Sequence, residues 1–166
     1  DTLANGIRWK ERPIALCELS WGHLAAPPAF SLQESDAQAR LLSVIAAIEV
    51  GVAQQAVFEM ASYALQREQF AQPIARFQDI QWMIAEGGTQ AEAAQWMVFR
   101  AAGAIDEKLS LSIADQRTAK AKLSAGQAAA QATSKGFQVH GGYGYTKEYA
   151  IERLFRQAQL LATLPM

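Results

Sequence analysis

Ala114-Asp-Gln-Arg-Thr-Ala-Lys-Ala-Lys-Leu-Ser-Ala-Gly-Gln-Ala-Ala-Ala-Gln-Ala-Thr-Ser-Lys-Gly-Phe-Gln-Val139 is built almost wholly of Ala, Gln, Lys and Ser and contains no proline. Alanine is the strongest helix former, and glutamine and lysine follow closely. The stretch therefore reads as one long α-helix, stopped by Gly141, Gly142 and Gly144. The whole chain shares the bias: 33 of its 166 residues are alanine and 17 are glutamine. An all-α fold follows from composition before any periodicity is considered.

Working back toward the N-terminus, an apolar stripe runs through Phe77, Ile80, Ile84, Ala91, Val98 and Ile105, at helical spacing. Gly87-Gly88 lies inside it. Two glycines in mid-helix cost about 2 kcal/mol relative to alanine, so a close helix crossing is expected there. Residues 109–113, Leu-Ser-Leu-Ser-Ile, separate this helix from the alanine-rich one. An earlier stripe, Leu41, Ile45, Ile48, Val52, Ala56 and Tyr63, predicts a helix from about residue 36, with Ser35 or Asp36 as cap. It should fade near Phe70, because Gln72 precedes Pro73 and is driven out of the helical region. A shorter helix is expected from about Lys147 to just before Pro165. Long helices with short breaks pack as antiparallel neighbours, which gives an antiparallel four-helix bundle.

Residues 1–30 differ from the remainder. They hold Pro13, Pro27 and Pro28, and Ile14–Trp21 alternates loosely enough to read as one strand. A lone strand needs a partner or a covering helix, so a short extended N-terminal arm is expected.

Composition bounds the function. Hydrophobic residues make up 51% of the chain and charged residues 19%, with a net charge of −1. That balance argues against a broad electrostatic grip on nucleic acid or an anionic membrane. No uninterrupted apolar run reaches the ~18 residues of a membrane span, and no basic-then-apolar leader opens the chain, so a reducing, cytoplasmic setting is expected. Cys17 stands alone, which excludes an intrachain disulfide, and it reads as a spectator thiol. His23 and His140 are far apart, and no Glu-x-x-His pair occurs, so no metal site is expected.

Two stretches carry chemistry. Tyr63-Ala-Leu-Gln-Arg67-Glu-Gln-Phe70-Ala-Gln-Pro73-Ile-Ala-Arg76-Phe77-Gln78 sets arginines and glutamines around a helix break. The amides opening the next helix suit an anion, and the Arg67 guanidinium can grip a phosphate at two points. The same residues also suit a solvated helix end. Gln138-Val139-His140-Gly141-Gly142-Tyr143-Gly144-Tyr145-Thr146 combines an amide side chain, stacking rings and glycines that admit a ligand close to the backbone. Read by itself it is equally a glycine stop and a new cap.

In this order, and with the tail Ile151-Glu152-Arg153-Leu154-Phe155-Arg156, the two stretches resemble the C-terminal helical domain of the acyl-CoA dehydrogenases over about residues 36–163. Residues 1–30 then resemble the end of the preceding β-domain and its linker, and 31–166 the helical domain. The family oxidises the Cα–Cβ bond of an acyl-CoA with FAD, a carboxylate removing the α-proton. The resemblance implies FAD contacts from Arg67, Phe70, Gln78, Gln138, Val139, His140, Gly141 and Gly142, made across a dimer that pairs into tetramers. It also implies an acyl-CoA substrate, a homo- or hetero-oligomer and an electron-transfer partner. The family's catalytic glutamate falls at one of two places, which here hold Pro165 and Leu41-Leu42. No catalytic residue is therefore assigned on this chain, and Glu49 is the one acid that could replace the base. The alternative function is a non-catalytic subunit or a bundle used only for protein association.

Overall fold

The computed structural model describes the backbone of residues 3–4, 7–10, 21–24 and 34–164, and side chains from residue 37. The chain divides into two compact units, Asp1–Glu34 and Ser35–Met166. In the first, β1 (Leu3–Ala4), β2 (Ile7–Lys10) and β3 (Trp21–Leu24) form an antiparallel sheet in the order β1-β2-β3, with Trp9 opposite Gly22. The strand expected over Ile14–Trp21 lies outside the described residues except for Trp21, which opens β3. The side chains of Cys17 and His23 lie outside them too.

The second unit is the four-helix bundle, formed by α1 (Glu34–Gln66), α2 (Gln78–Asp106), α3 (Leu111–His140) and α4 (Ala150–Ala162). Their directions follow from which residues meet. Glu49 meets Lys122, and Tyr63 meets His140, so α1 and α3 run parallel. Lys135 pairs with Glu86, and Ile151 fills the space beside Gly136, so α2 and α4 run against α3. The result is an up-down-up-down bundle.

The breaks follow local chemistry. After α1 the chain turns through β4 (Glu68–Gln69) and β5 (Gln72–Pro73), with Gln69 opposite Gln72. Phe70 and Ala71 both have positive φ, at 53° and 62°, as the tight two-residue hairpin demands. A 3₁₀ turn, Ile74–Arg76, leads into α2. Leu111–Ile113, expected in the break, instead form the first turn of α3, where the Ile113 amide donates to Ser110 O at 2.9 Å. A second 3₁₀ turn, Gly141–Tyr145, delays α4 to Ala150, three residues later than expected.

Small residues set the core. α2 and α3 pack against each other, with Ala91, Ala94, Ala101 and Ala104 buried on one helix and Ala121, Ala125, Ala128 and Ala132 on the other, all in one core cluster except Ala104. Gly87 is the expected close crossing: a Cβ there would stand 3.2 Å from Val57 Cγ2 and 3.5 Å from Met60 Cε. The α2 stripe holds, since Ala91, Val98 and Ile105 are buried. The α1 stripe holds only in part. Val52 and Ala56 are buried, but Leu41 and Ile48 are exposed, and Leu42, Ala46, Glu49, Ala53 and Met60 take the interior instead. α1 is apolar on several faces, so periodicity could not choose between them. Within Ala37–Gln66, an 18-residue stretch of mean hydropathy 1.8 also passes the length and composition test for a membrane-crossing helix. In the bundle that helix packs as one of four and carries a buried ion pair at mid-length.

Candidate functional site

The last turn of α1 and the last turn of α3 end side by side, and between them opens a cleft of about 520 Å³. Arg67 follows α1 immediately. Its amide donates to Tyr63 O at 2.9 Å, and its carbonyl accepts from the Ile74 amide at 2.8 Å. The backbone at Arg67 is thus pinned by the helix on one side and the hairpin on the other. Its guanidinium stands over the Tyr143 ring, 5.6 Å from the centroid. No hydrogen bond or ion pair reaches that guanidinium among the described residues.

The opposite wall is the C-terminal turn of α3. Val139 and His140 are buried, and Gln138 is exposed at the rim. The chain leaves α3 through Gly141, whose φ of 58° and ψ of −136° only glycine adopts readily. A Cβ built on Gly142 would meet no neighbour within 4 Å, so a ligand can approach the backbone there. His140 Nδ1 lies 2.8 Å from Gly136 O. A carbonyl can only accept, so Nδ1 carries the proton and Nε2 is left as an acceptor. Burial holds the His140 pKa below the ordinary imidazole value, against the raising effect of the Gly136 carbonyl and Glu59. The Tyr63 ring stacks on His140 at 4.2 Å, and its hydroxyl donates to His140 O at 3.5 Å. Burial raises the Tyr63 pKa, with Arg67 opposing. Tyr149 meets Tyr63, His140 and Tyr143 edge-on at 5.5, 5.4 and 5.9 Å.

Six of the eight expected contact residues line this cleft: Arg67, Gln138, Val139, His140, Gly141 and Gly142. Phe70 and Gln78 do not. Phe70 projects from the hairpin tip, 89% exposed, edge-on to Phe77, and Gln78 is exposed at the start of α2. The α2 opening, where an anion seat is expected from the sequence, does not line this cleft, which sits on the C-terminal ends of α1 and α3, where the helix dipoles favour cations. Tyr63, which begins the first of the two stretches, also lines the cleft, and Tyr149 backs it through its ring contacts; the sequence gives neither a site role. For Tyr63 a signal exists, because it lies four residues before Arg67 on the same helix face.

Glu49 is not at this site. It precedes Tyr63 by about 21 Å of helix at 1.5 Å per residue. It is fully buried, and Lys122 Nζ donates to Glu49 Oε1 at 2.8 Å and to Leu161 O at 3.3 Å. Desolvation raises the Glu49 pKa, with the Lys122 hydrogen bond and charge opposing. An acid held this way has no path to a substrate proton. Of the two places where the resemblance would put the base, Leu42 is buried, Leu41 is exposed, and Pro165 lies outside the described residues.

Comparison with known proteins places the helical unit that carries this cleft. The profile of the acyl-CoA dehydrogenase C-terminal domain matches residues 37–164. A 3-(aryl)acrylate reductase of Clostridium sporogenes is 44% identical over 120 residues, covering 71% of this chain and 30% of that protein. The caffeyl-CoA reductase–Etf complex subunit CarC of Acetobacterium woodii is 40% identical over 116 residues, covering 70% of this chain and 30% of the relative. Among solved structures, an acyl-CoA dehydrogenase of Bacillus anthracis complexed with FAD superposes with a TM-score of 0.68 at 29% identity, covering 78% of this chain and 25% of that one. The chain thus spans about 30% of the length of these curated relatives. The matched segment and the four-helix architecture agree, and the chain belongs to the acyl-CoA dehydrogenase family as its C-terminal helical domain.

Proposed function

We propose that this chain supplies the ADP half of an FAD site, together with oligomer contacts, to an acyl-CoA dehydrogenase-type flavoprotein, and contributes no catalytic base of its own. The observation that carries this reading is Arg67: a guanidinium with no anionic partner among the described residues, facing a cleft whose other wall is a glycine turn. A cation left uncompensated in a cleft suits a pyrophosphate. The open backbone at Gly142 and the Gln138 amide suit a ribose or phosphate edge. The residues present therefore fit the phosphate end of FAD. When bound, FAD would supply the two-electron acceptor for oxidation of an acyl-CoA, the substrate class of the family. Arg67 and the Gln138–Gly142 segment would hold and orient it. Phe70 and Gln78, outside the cleft of one protomer, would reach FAD only from a neighbouring subunit.

Exposed Leu41, Val44 and Ile48 on α1 and Trp82, Trp96 and Phe99 on α2 support a homo- or hetero-oligomer. An electron-transfer partner is supported by the relative that works in an Etf complex. Residues 1–30 would be the end of a β-domain. Titration of the chain with ADP tests the reading: Arg67→Ala should weaken binding at least tenfold, while Glu49→Gln should leave it unchanged. ADP binding that ignores Arg67 would remove the basis for the proposal.

A further inference from the structure

The geometry points to Tyr143 as a positioning residue, whose ring holds the Arg67 guanidinium aimed into the cleft. This rests on the cofactor reading above and adds the element that orients its main cation. Arginine has four rotatable side-chain bonds, so a fixed backbone alone does not fix its head group. At Arg67 the backbone is tied at both its amide and its carbonyl. The head group has no carboxylate, carbonyl or hydroxyl partner among the described residues. It rests instead on the face of Tyr143, with the guanidinium carbon 5.6 Å from the ring centroid. That separation is within range of a cation–π attraction.

The ring is itself held. Tyr143 sits in the 3₁₀ turn Gly141–Tyr145, where its carbonyl accepts from the Thr146 amide at 3.0 Å and from Thr146 Oγ1 at 2.9 Å. Its ring meets Tyr149 edge-on, and Tyr149 in turn meets Tyr63 and His140. Tyr63 lies in the last turns of α1, just before Arg67. The rings thus close a loop from the end of α1, across the end of α3, and back to the arginine. A carboxylate in place of Tyr143 would also fix the guanidinium, but it would neutralise the charge an anionic ligand needs. A ring fixes the direction and leaves the charge available.

The test is ADP titration of the 166-residue chain at fixed ionic strength, in wild type, Tyr143→Leu, Tyr143→Phe, Arg67→Ala and the Tyr143→Leu/Arg67→Ala pair. A cation–π contact of ordinary strength predicts that Tyr143→Leu weakens ADP about two- to fivefold. Tyr143→Phe should restore wild-type affinity, because the face is kept and only the hydroxyl is lost. In the Arg67→Ala background Tyr143→Leu should have no further effect. Loss in Tyr143→Phe, or an additive loss in the pair, would make Tyr143 a direct or purely structural contact and overturn the inference, with the cofactor reading intact. ADP affinity insensitive to Arg67→Ala would instead overturn both. A ligand-free readout stands beside it. The Arg67 δ-proton resonances should be shifted upfield by the ring, return to ordinary positions in Tyr143→Leu, and remain shifted in Tyr143→Phe. Ordinary positions in the wild type would refute the inference whether or not ADP binds.

Discussion

Replacing both members of the Glu49–Lys122 pair should cost far less stability than replacing either. Glu49 is fully buried and Lys122 is 4% exposed, at an N–O separation of 2.8 Å. At an effective dielectric of about 20, their attraction is about 6 kcal/mol. Desolvating two ions costs several kcal/mol each, and Glu49 Oε2 finds no hydrogen-bond partner among the described residues. The pair is therefore near balance while intact and strongly unfavourable once broken. Glu49→Leu and Lys122→Met should each destabilise by about 3–5 kcal/mol, whereas the double variant should be neutral or up to about 4 kcal/mol more stable. Acidity gives an independent check. The Glu49 pKa is raised in the folded chain, so its titration favours folding below the unfolded-state value near 4.5. That contribution is lost as pH rises through the folded value. Glu49→Gln should remove this decline from the stability profile. Urea unfolding followed by circular dichroism, across the acidic to neutral range, measures both effects. Single variants that each cost under about 1 kcal/mol and add in the double would refute the reasoning.

Three further outcomes are expected. Ala71 has φ of 62° in the hairpin after α1, so Ala71→Gly should stabilise the chain by about 1 kcal/mol, seen as a higher urea midpoint. Gly136→Ala would bring a methyl group against the buried Ile151 side chain, 2.7 Å from Cγ1. It should cost about 1–3 kcal/mol of overpacking despite alanine's better helix propensity, and the added variant Ile151→Val should recover part of it. His140 has a pKa lowered from the ordinary 6.5, so its contribution to stability is present above about pH 6.5 and lost as pH falls through the folded value. An NMR titration of its ring should give a midpoint below 6.5.

Much of this architecture was legible from residue types. Alanine content and the α2 stripe located the helices, and Gly87 announced a crossing that the structure places against Val57 and Met60. The break near residue 109 was legible as a local change of pattern, whereas α1 ends at Gln66, four residues before the expected Phe70, because a hairpin over 68–73 takes up the chain ahead of Pro73. What failed needed information from elsewhere in the chain. The inward face of α1 is chosen by partners on α2 and α3, so Leu41 and Ile48 looked as interior as Val52. The burial of Glu49 depends on Lys122, 73 positions away. At the site, Arg67 and Gln138–Gly142 were identified through their resemblance to a family. Their meeting depends on α1 and α3 being parallel. Tyr149 joined them only because a 3₁₀ turn returns the chain over His140.

The methyl-lined contact between α2 and α3 makes α3 behave as a lever. Longer side chains at a helix interface can absorb an error by changing rotamer, whereas alanine and glycine have no rotamer to change. A larger residue on this seam must move the rod itself. α3 is one continuous helix from Leu111 to His140, so a displacement at Ala121 or Ala132 is carried along it to the Gly141 turn. The cleft is mounted on the free end of that rod, about one turn beyond Gly136. Tolerance to substitution along the seam is therefore set by alignment at the far end before it is set by unfolding. Variants there would remain helical and cooperative while the two walls of the cleft no longer face each other.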